Sequence, residues 1–412
     1  MLSVQEAEAV IFARVEALDE IELVGLKSAI ARVLARSITS QLDFPHWDNS
    51  AMDGYAVRFE DMRFVPSATS GKPQPITLEI IEEIPAGYQP QKTVQPGQAA
   101  RIFTGAVMPA GADTIVMQEQ TQRQDNQVSI LSAPSELGAF VRHQGAYYQA
   151  GAPLLNPGIV LKAPEIAVLA AAQCTEIPVF RRPRVAILST GDELVTPDRP
   201  LQPGQIVDSN QYALAALVTQ LGAEVIDLGI VHDDPEALKG AIATAISSAD
   251  VVISSGGVSV GEFDYVDRIL AELGAEIHIR AIAVKPGKPL TFATFPDSTL
   301  YFGLPGNPVS ALVTFWRFVQ PAILKLSGLA KGWEPKFVNA VATQDLRSDG
   351  KRESYLWGEI AIVNDAYEFN LAGGRQISGN LINLAGTNAL GMMAIGQTQI
   401  KKGEAIAVLL IS

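Results

Sequence analysis

The sequence predicts a multidomain α/β protein, with a central doubly wound α/β domain between helical and β-rich N-terminal parts and a C-terminal β domain. The 412 residues are enough for several domains at roughly 150 residues each. Apolar strand-like runs alternate with helical patterns over about residues 183–328, which indicates a parallel sheet with helices on both faces. Residues 44–138 and 333–412 instead alternate apolar and polar residues between turn clusters, as β-strands do.

The composition is that of an acidic globular protein. Lys and Arg number 31 against 44 Asp and Glu, a formal net charge of −13, and 48% of residues are hydrophobic. This apolar content excludes a disordered chain, and the acidic surplus disfavours a nucleic-acid partner. The single cysteine, Cys174, favours a cytoplasmic location. No signal peptide is recognisable, and no apolar run approaches the roughly 20 residues of a membrane helix, so no membrane association is expected.

In the N-terminal part, the spacing of apolar residues predicts a helix over 3–18, where Ser3 and Glu6 stand at capping-box separation. A second amphipathic helix is predicted over 26–38. The β-rich module follows from about residue 44, where Pro, Gly, Gln and Thr become frequent.

The central domain is predicted from a regular succession of strands and helices. Its strands are continuous apolar runs, as expected when both faces of a sheet are covered. The elements, in chain order, are a strand at 185–188, a helix at 211–221, a strand at 224–231, a helix opened by Asp234 at the N-cap and Pro235 at N1, a strand at 250–254, a helix at 265–273, and an apolar helix at 309–326 that is expected to bend at Pro321.

A loop of small residues, Ser254-Ser-Gly-Gly-Val-Ser-Val-Gly261, follows the third strand. Small residues between a strand and a helix let backbone N–H groups point at an anion. The loop is neither a P-loop nor a dinucleotide fingerprint, and an ordinary tight turn is the alternative. The candidate ligand-binding residues here are Ser255, Gly256, Gly257, Ser259 and Gly261.

The same loop matches the G-x-S-x-G pattern of hydrolase nucleophiles around Ser259. A hydrolase of that type needs a histidine from a late loop, but only His278 follows, inside an alternating strand. A serine hydrolase is therefore disfavoured. The other histidines, His46, His143 and His232, lack metal-ligand spacing, so nothing indicates zinc or haem.

Carboxylates follow the predicted strands at the sheet edge where open α/β sheets bind ligands. Residues 183–328 hold 9 Lys or Arg and 16 Asp or Glu, so these acids would repel one another without a cation. Mg²⁺ held by carboxylates and substrate phosphates is the predicted cation, and helix capping is the alternative for some of them. The candidates are Asp192 and Glu193 after Thr190-Gly191, Asp208, the pair Asp233-Asp234, Glu262 and Asp264.

Two further loops carry candidate binding residues. Lys285-Pro-Gly-Lys288-Pro places two cations on a stiff loop suited to an oxyanion, with a solvated turn as the alternative. Leu304-Pro-Gly-Asn-Pro-Val-Ser310 precedes a helix with Pro308 at its first position. Pro305, Asn307 and Ser310 in it are candidates for recognising a ring or a phosphate.

Taken together, these motifs resemble the molybdopterin molybdenumtransferase family, which includes MoeA and the E-domain of gephyrin. The matching segments are spread over almost the whole chain, and their combination is highly specific. They are Ser189–Leu194, Ser254–Gly261, Lys285–Pro289 and Leu304–Ser310 in the central domain, and Asp48–Val57, Arg101–Gly105 and Ala110–Gln118 in the N-terminal half.

The resemblance implies an elongated homodimer of four-part subunits. A discontinuous helical domain, 1–44 and 139–178, would contain an inserted β-rich domain, 45–138. A molybdopterin-binding α/β domain, 179–329, and a C-terminal β-barrel, 330–412, would follow. The active cleft would lie between the central domain of one subunit and the second domain of the other. The implied reaction is Mg²⁺-assisted cleavage of adenylylated molybdopterin with ligation of molybdate to the dithiolene, yielding molybdenum cofactor and AMP.

The resemblance also implies roles for individual acids. Asp53 and Thr104 match second-domain active-site positions that would reach the partner's cleft. Glu193, one acid of the Asp233-Asp234 pair, for which Asp233 is our candidate, and Asp264 match the central carboxylates. Glu193 and Asp264 are expected to bind Mg²⁺ and position water.

The oxyanion contacts implied by the resemblance are cationic or hydroxylic. Lys285 and Lys288 match the lysines that contact molybdate or phosphate. Arg352 and Ser378 look like the remaining oxyanion contacts. Thr190, Gly191 and Asp192 would help to bind molybdopterin.

One position departs from the family pattern. After Val141-Arg-His-Gln the family reads Gly, then Glu or Ser, then Asp, whereas this chain reads Gly145-Ala146-Tyr147. An expected carboxylate is missing, but activity is expected to be retained because the other acids and lysines match. The alternatives are a non-catalytic gephyrin-like scaffold and a related molybdopterin adenylyltransferase or nucleotide pyrophosphatase. Other proteins of cofactor biosynthesis are further candidate partners.

Overall fold

A computed structural model describes residues 1–63, 76–256 and 263–411, without the side chains of 263–265. The chain forms two compact units. The first contains Met1–Arg36, Pro157–Ala167 and Thr175–Ser412, and the second contains Ser37–Asn156 and Val168–Cys174. The four-domain division and its boundaries stay a prediction.

A six-stranded sheet forms the centre of the first unit. Its strands are β1 (Arg184–Thr190), β2 (Glu224–Val231), β3 (Val251–Ser255), β4 (Glu276–Ala281), β5 (Pro289–Thr294) and β6 (Leu300–Leu304). The spatial order is β2-β1-β3-β6-β5-β4. The first four strands are parallel, and β5 and β4 follow as antiparallel neighbours. Because β2, β1, β3 and β6 run the same way, their carboxyl ends meet at one edge.

The helices match most of the periodicity predictions. In chain order they are α1 (Val4–Phe12), α2 (Ala163–Ala171), α3 (Asn210–Gln220), α4 (Pro235–Ser248), α5 (Phe263–Glu272), α6 (Pro308–Thr314) and α7 (Gln320–Leu326). Asp234 caps α4 by accepting the Ala237 N–H at 2.8 Å, as its Asp-Pro start predicts.

Helices cover both faces of the central sheet. In β1, Val185 and Ile187 share one core with residues of α3 and α6. Ala186 and Leu188 point to the other face, into a core with residues of α4 and α5. This alternation confirms the doubly wound α/β arrangement, because successive side chains of a strand face opposite sides.

The predicted apolar helix at 309–326 is one continuous helical stretch, Pro308–Leu326. Between α6 and α7, Phe315–Val319 is π-helical, and Pro321, which has no N–H to donate, is the second residue of α7. The stretch is long and apolar enough to cross a membrane by length and composition, but 83% of it is buried inside the protein. A mostly buried helix of this kind is also what the core of a globular domain requires.

The C-terminal strands close into a barrel, as the resemblance implies. Val284–Lys285, from the central part of the chain, pairs with the long strand Glu353–Val363 outside the ring. The ring follows the order Glu353–Val363, Ala366–Leu371, Phe337–Ala342, Ala405–Leu410 and Ala389–Met393, and closes by pairing of its last and first members. Leu346–Arg347 and Gln399–Ile400 form a separate pair.

The N-terminal segment contains one correct and one wrong prediction. The capping box of Ser3 and Glu6 is formed at the start of α1, which is shorter than the predicted 3–18. The predicted helix over 26–38 is wrong: only Leu26–Ser28 forms a 3₁₀ turn. Ala31 has a positive φ of 59°, a left-handed conformation that ends a helix. The following backbone instead forms isolated bridges with distant segments of the first unit, which overrides the local helical pattern.

The second unit is β-rich, as predicted. Its sheet has the order Thr114–Met117, Gly54–Val57, Gln98–Ile102, Ile76–Ile84, Gln127–Ile130 and Thr121–Gln124. Short pairs join Asn49–Ser50 to Val141–Arg142 and Ile38–Thr39 to Pro153–Leu155. In the first unit, similar short pairs join Ile21–Gly25 to Glu176–Phe180 and Leu194–Val195 to Ile206–Val207.

Candidate active site

A cavity of about 750 Å³ lies beyond the carboxyl ends of the parallel strands, where open α/β sheets bind ligands. We call it the acidic cavity because Glu193, Asp208 and Asp233 line it. The sequence-predicted residues that line it are Thr190, Gly191, Glu193, Asp208, Asp233, Ser255, Gly256, Pro305, Asn307 and Ser310.

Tight packing between loops shapes the acidic cavity. Gly256 has a φ of 95°, and a Cβ added there would clash with the carbonyl oxygen of Thr190, so only glycine allows the β1 and β3 loops to approach so closely. The Asn210 amide donates to Ser255 Oγ at 3.0 Å and to the Gly306 carbonyl at 2.9 Å. Asn210 thus connects the end of β3 with the loop after β6. Sequence reasoning did not assign it a role, although its polarity at the start of an apolar helix was a signal.

The carboxylates after β1 and β2 influence one another. The Asp233 N–H donates to Asp192 Oδ1 at 3.2 Å, and His232 Nδ1 lies 3.1 Å from the same oxygen. Asp192 therefore holds the loop that carries Asp233. Desolvation by the surrounding protein raises the pKa of Asp233, and the negative charges of Asp192 and Glu193 raise that pKa further. A cation bound nearby would relieve this repulsion.

A second cavity, of about 460 Å³, lies between the Lys285–Pro289 loop and the barrel. We call it the basic cavity because Lys285, Lys288, Arg347 and Arg352 line it. It also contains predicted residues Ser310 and Ser378. Sequence reasoning missed Arg347 and Gln376, which line it as well, because nothing in the local pattern connects their strand and loop with residues 285–289.

Two cations of the basic cavity are held by neighbouring groups. Lys285 Nζ lies 2.8 Å from Asp349 Oδ2, and this hydrogen bond lowers the pKa of Asp349. Arg352 Nη1 donates to the Val284 carbonyl at 3.0 Å, which directs the guanidinium toward the loop of the lysines.

The two cavities share part of their lining. Pro289 and Ser310 line both, and Ser310, in the first turn of α6, is buried. A bound molecule that passes these residues would contact carboxylates at one end and cations at the other.

The Asp53–Thr104 pair belongs to the second unit. The Thr104 N–H and hydroxyl both donate to Asp53 Oδ1 at 2.7 Å. These two hydrogen bonds lower the pKa of Asp53, because they stabilise its ionised form. The structure therefore presents Asp53 as a fixed carboxylate.

Some predicted residues fall outside what the structure describes. Gly257, Ser259 and Gly261 lie outside the described residues, as does Glu262. Asp264 lies in α5, but its side chain is outside the described set. Within the described residues, no group of three His, Cys, Asp or Glu side chains converges to hold a metal ion.

The departure at Gly145-Ala146-Tyr147 lies at the surface of the second unit, where 71% of Tyr147 is exposed. A carboxylate from an earlier segment, Asp43, accepts hydrogen bonds from the Ala150 N–H at 2.8 Å and the Gln144 side chain at 2.9 Å. Asp43 orders this loop, which retains an acidic group next to Gly145.

Comparison with known proteins gives consistent matches. Residues 2–172 match the family described as MoeA N-terminal region (domain I and II), 186–325 match a probable molybdopterin binding domain, and 339–411 match the MoeA C-terminal region (domain IV). A molybdopterin molybdenumtransferase of Nostoc sp. is 61% identical over 99% of this chain and 94% of its own length.

A Haemophilus influenzae molybdopterin molybdenumtransferase is 38% identical over 84% of this chain and 83% of its own. A crystal structure of the molybdopterin biosynthesis MoeA protein from Pyrococcus horikoshii superposes with a TM-score of 0.82 at 30% identity. That comparison covers 100% of this chain and 99% of the other.

Proposed function

The chain belongs to the MoeA family of molybdopterin molybdenumtransferases, enzymes of molybdenum cofactor biosynthesis, and from this premise we propose that it inserts molybdate into adenylylated molybdopterin and releases AMP in a Mg²⁺-dependent reaction. The observation that carries the proposal is the pair of cavities of opposite charge, which share Pro289 and Ser310. A phosphoanhydride that needs a cation and an oxyanion that needs cationic side chains can then be bound side by side.

The basic cavity is the proposed molybdate site. Lys285, Lys288 and Arg352 supply positive charge, and Arg352 offers a planar fork of donors suited to tetrahedral oxyanions. Ser378 supplies a hydroxyl. When the two dithiolene thiols bind molybdenum, their two protons leave with one molybdate oxygen as a single water molecule, and donors fixed around the oxyanion favour that exchange.

The acidic cavity is the proposed site of the phosphoanhydride. Backbone and hydroxyl groups of Thr190–Gly191, Ser255–Gly261 and Pro305–Ser310 would bind molybdopterin and its phosphate. Glu193 and Asp233, with Asp264, would hold Mg²⁺, and Asp192 would keep the Asp233 loop in place. The donor set fits this ion, since Mg²⁺ is often held by one or two carboxylates together with substrate phosphates. Bound there, Mg²⁺ would neutralise charge on the phosphates.

A homodimer completes the proposed site. The resemblance places the Asp53–Thr104 pair of one subunit in the cleft of the partner, and the low pKa of Asp53 supports an ionised role there. Coexpression of Asp53→Asn with Lys288→Met tests this. Mixed dimers contain one intact cleft, so about one quarter of the wild-type activity should return. Recovery of no activity would contradict the shared cleft.

A cytoplasmic location agrees with the single Cys174.

The proposal is tested with purified protein, adenylylated molybdopterin, Mg²⁺ and molybdate, by measuring AMP release and cofactor formation. Release of AMP that depends on all three components is the expected result. If the wild-type protein released no AMP, the proposed reaction would be wrong and the alternative of a non-catalytic scaffold would be favoured. If Asp264→Asn released AMP at the wild-type rate, the reaction would stand and the role of Asp264 would be withdrawn.

A further inference from the structure

Asp208 is a buried carboxylate of the acidic cavity with no role in the reaction described above. Its residue is 3% exposed, and it lines the cavity between Val207 and the start of α3. Oδ1 accepts the Gln211 N–H at 3.2 Å, which caps the first turn of the helix. Oδ2 is shielded from solvent and has no hydrogen-bond partner among the described residues.

A second oxygen of a residue that lines the same cavity is also buried and has no hydrogen-bond partner among the described residues. Thr190 is 5% exposed, and its Oγ1 is also buried without a partner in the described part of the chain. Buried polar atoms without partners are rare in folded proteins, because each loses its hydrogen bonds to water. A carboxylate oxygen has the larger need, since it is charged. Both residues line the cavity, so a small side-chain rotation that brings either oxygen to the cavity surface would let a ligand donor satisfy it.

The lining beside Asp208 is apolar and partly open. Ile206 is 54% exposed and Val207 is 36% exposed, and Leu194 and Leu381 line the same cavity. Flat heterocyclic rings bury their faces on aliphatic side chains and direct their edges to a few polar groups. A hydroxylated sugar or a phosphate would gain little from these side chains.

An N–H group of a ligand would provide Asp208 Oδ2 with a hydrogen-bond donor. A ring N–H or exocyclic amino group suits a single carboxylate acceptor, because Oδ1 is already occupied by the Gln211 N–H. Thr190 Oγ1 can both donate and accept, so it adapts to the neighbouring ring atom.

We propose that Asp208 Oδ2 accepts a hydrogen bond from the exocyclic amino group of a nitrogen heterocycle of the substrate, whose ring packs on Ile206, Val207 and Leu381. This inference rests on the proposed function, because adenylylated molybdopterin contains two such heterocycles, a pterin and an adenine. Asp208 is thereby a specificity-determining residue.

Paired probes identify which ring is bound. AMP and IMP differ by an amino group replaced by an oxo group, and pterin and lumazine differ in the same way at the pterin amino group. We expect one pair to be discriminated by the wild-type protein, with the amino compound binding about tenfold to a hundredfold more tightly, as for a hydrogen bond to a charged group. Isothermal titration calorimetry measures all four dissociation constants.

Asp208→Asn gives the second half of the test. Asparagine caps a helix nearly as well as aspartate, so the melting temperature should stay within a few degrees of the wild type, while the preference for the amino compound should disappear. The matched control is Asp198→Asn, an exposed aspartate that lines neither cavity, and it should keep the wild-type preference.

Three outcomes would overturn the proposal: equal affinities within both pairs for the wild-type protein, no measurable binding of any probe, or an unchanged preference in Asp208→Asn. The wild-type measurement needs no variant, so a folding defect does not leave the question open. The AMP-release assay is independent of these measurements. Normal AMP release with no discrimination within either probe pair would contradict only the proposed role of Asp208. Absence of AMP release would contradict the proposed reaction.

Discussion

The acidic and basic cavities are neighbours built in different ways. The acidic cavity takes most of its walls from loops after parallel strands of one sheet. The basic cavity joins a loop of the central domain to the barrel, and its ion pair between Lys285 and Asp349 spans 64 residues of sequence. Their charges are opposite, although Pro289 and Ser310 belong to both. The difference teaches how, under the proposed function, two substrates would be bound side by side, one in a site formed by the sheet and the other in a site formed by packing of the barrel against the central domain.

The largest expected effect is at the acidic cavity. Glu193→Gln removes a proposed Mg²⁺ ligand, and turnover should fall by about 100-fold or more, since stabilisation of phosphate charge is a large part of catalysis. The affinity for molybdate should not change. Steady-state AMP release and molybdate titration measure both quantities.

The matched control is Glu224→Gln, at the opposite end of β2 and outside both cavities, which should retain wild-type turnover. If Glu193→Gln weakened molybdate binding as much as turnover, the two cavities would not have separate roles.

A complementary effect is expected at the basic cavity. Arg352→Met and Arg347→Met should each raise the KM for molybdate about tenfold to a hundredfold, because charge-assisted hydrogen bonds to an oxyanion are lost. The Mg²⁺ concentration for half-maximal activity should stay the same. Arg280→Met, an exposed arginine paired with Asp267, is the control. An unchanged KM for molybdate in both variants would contradict the assignment of this cavity.

The hydrogen bonds of Asn210 are expected to matter for the acidic cavity, which Asn210 lines, and not for the basic cavity. Asn210→Ala removes two hydrogen bonds, one to the end of β3 and one to the loop after β6, so the free energy of unfolding should fall by about 1–3 kcal/mol. Turnover should fall while the molybdate affinity is kept. Urea denaturation and molybdate titration check these expectations. Unaltered stability with normal turnover would show that the two hydrogen bonds of Asn210 are not needed.

The smallest effect is a difference in pH dependence. The pKa of Asp233 is raised and that of Asp349 is lowered, so on acidification Asp233 takes up its proton at a higher pH than Asp349. Activation by Mg²⁺ should therefore fail as Asp233 is protonated, whereas molybdate binding should persist, because protonation of Asp349 removes the negative charge that is paired with Lys285. Carbon NMR titration of the two carboxyl groups, together with activity profiles, tests the order. Simultaneous loss of both functions would contradict it.

Much of the central domain could be predicted, because its signals are local. Continuous apolar runs predicted the strands, and Asp234 followed by Pro235 predicted the start of α4. The helix predicted over 26–38 failed since Ala31 adopts a left-handed conformation and the backbone after it forms bridges with distant segments. Arg347 could not be found, because its place in the basic cavity depends on packing of the barrel.

The sequence by itself determined the order of strands and helices and the small-residue and acidic loops at their carboxyl ends, since periodicity and turn chemistry act over a few residues. The strand pairing that closes the barrel, the place of Arg347 in the basic cavity and the unpartnered oxygen of Asp208 were decided only by the tertiary structure. The physical reason is that these features depend on hydrogen bonds and packing between segments far apart in the chain.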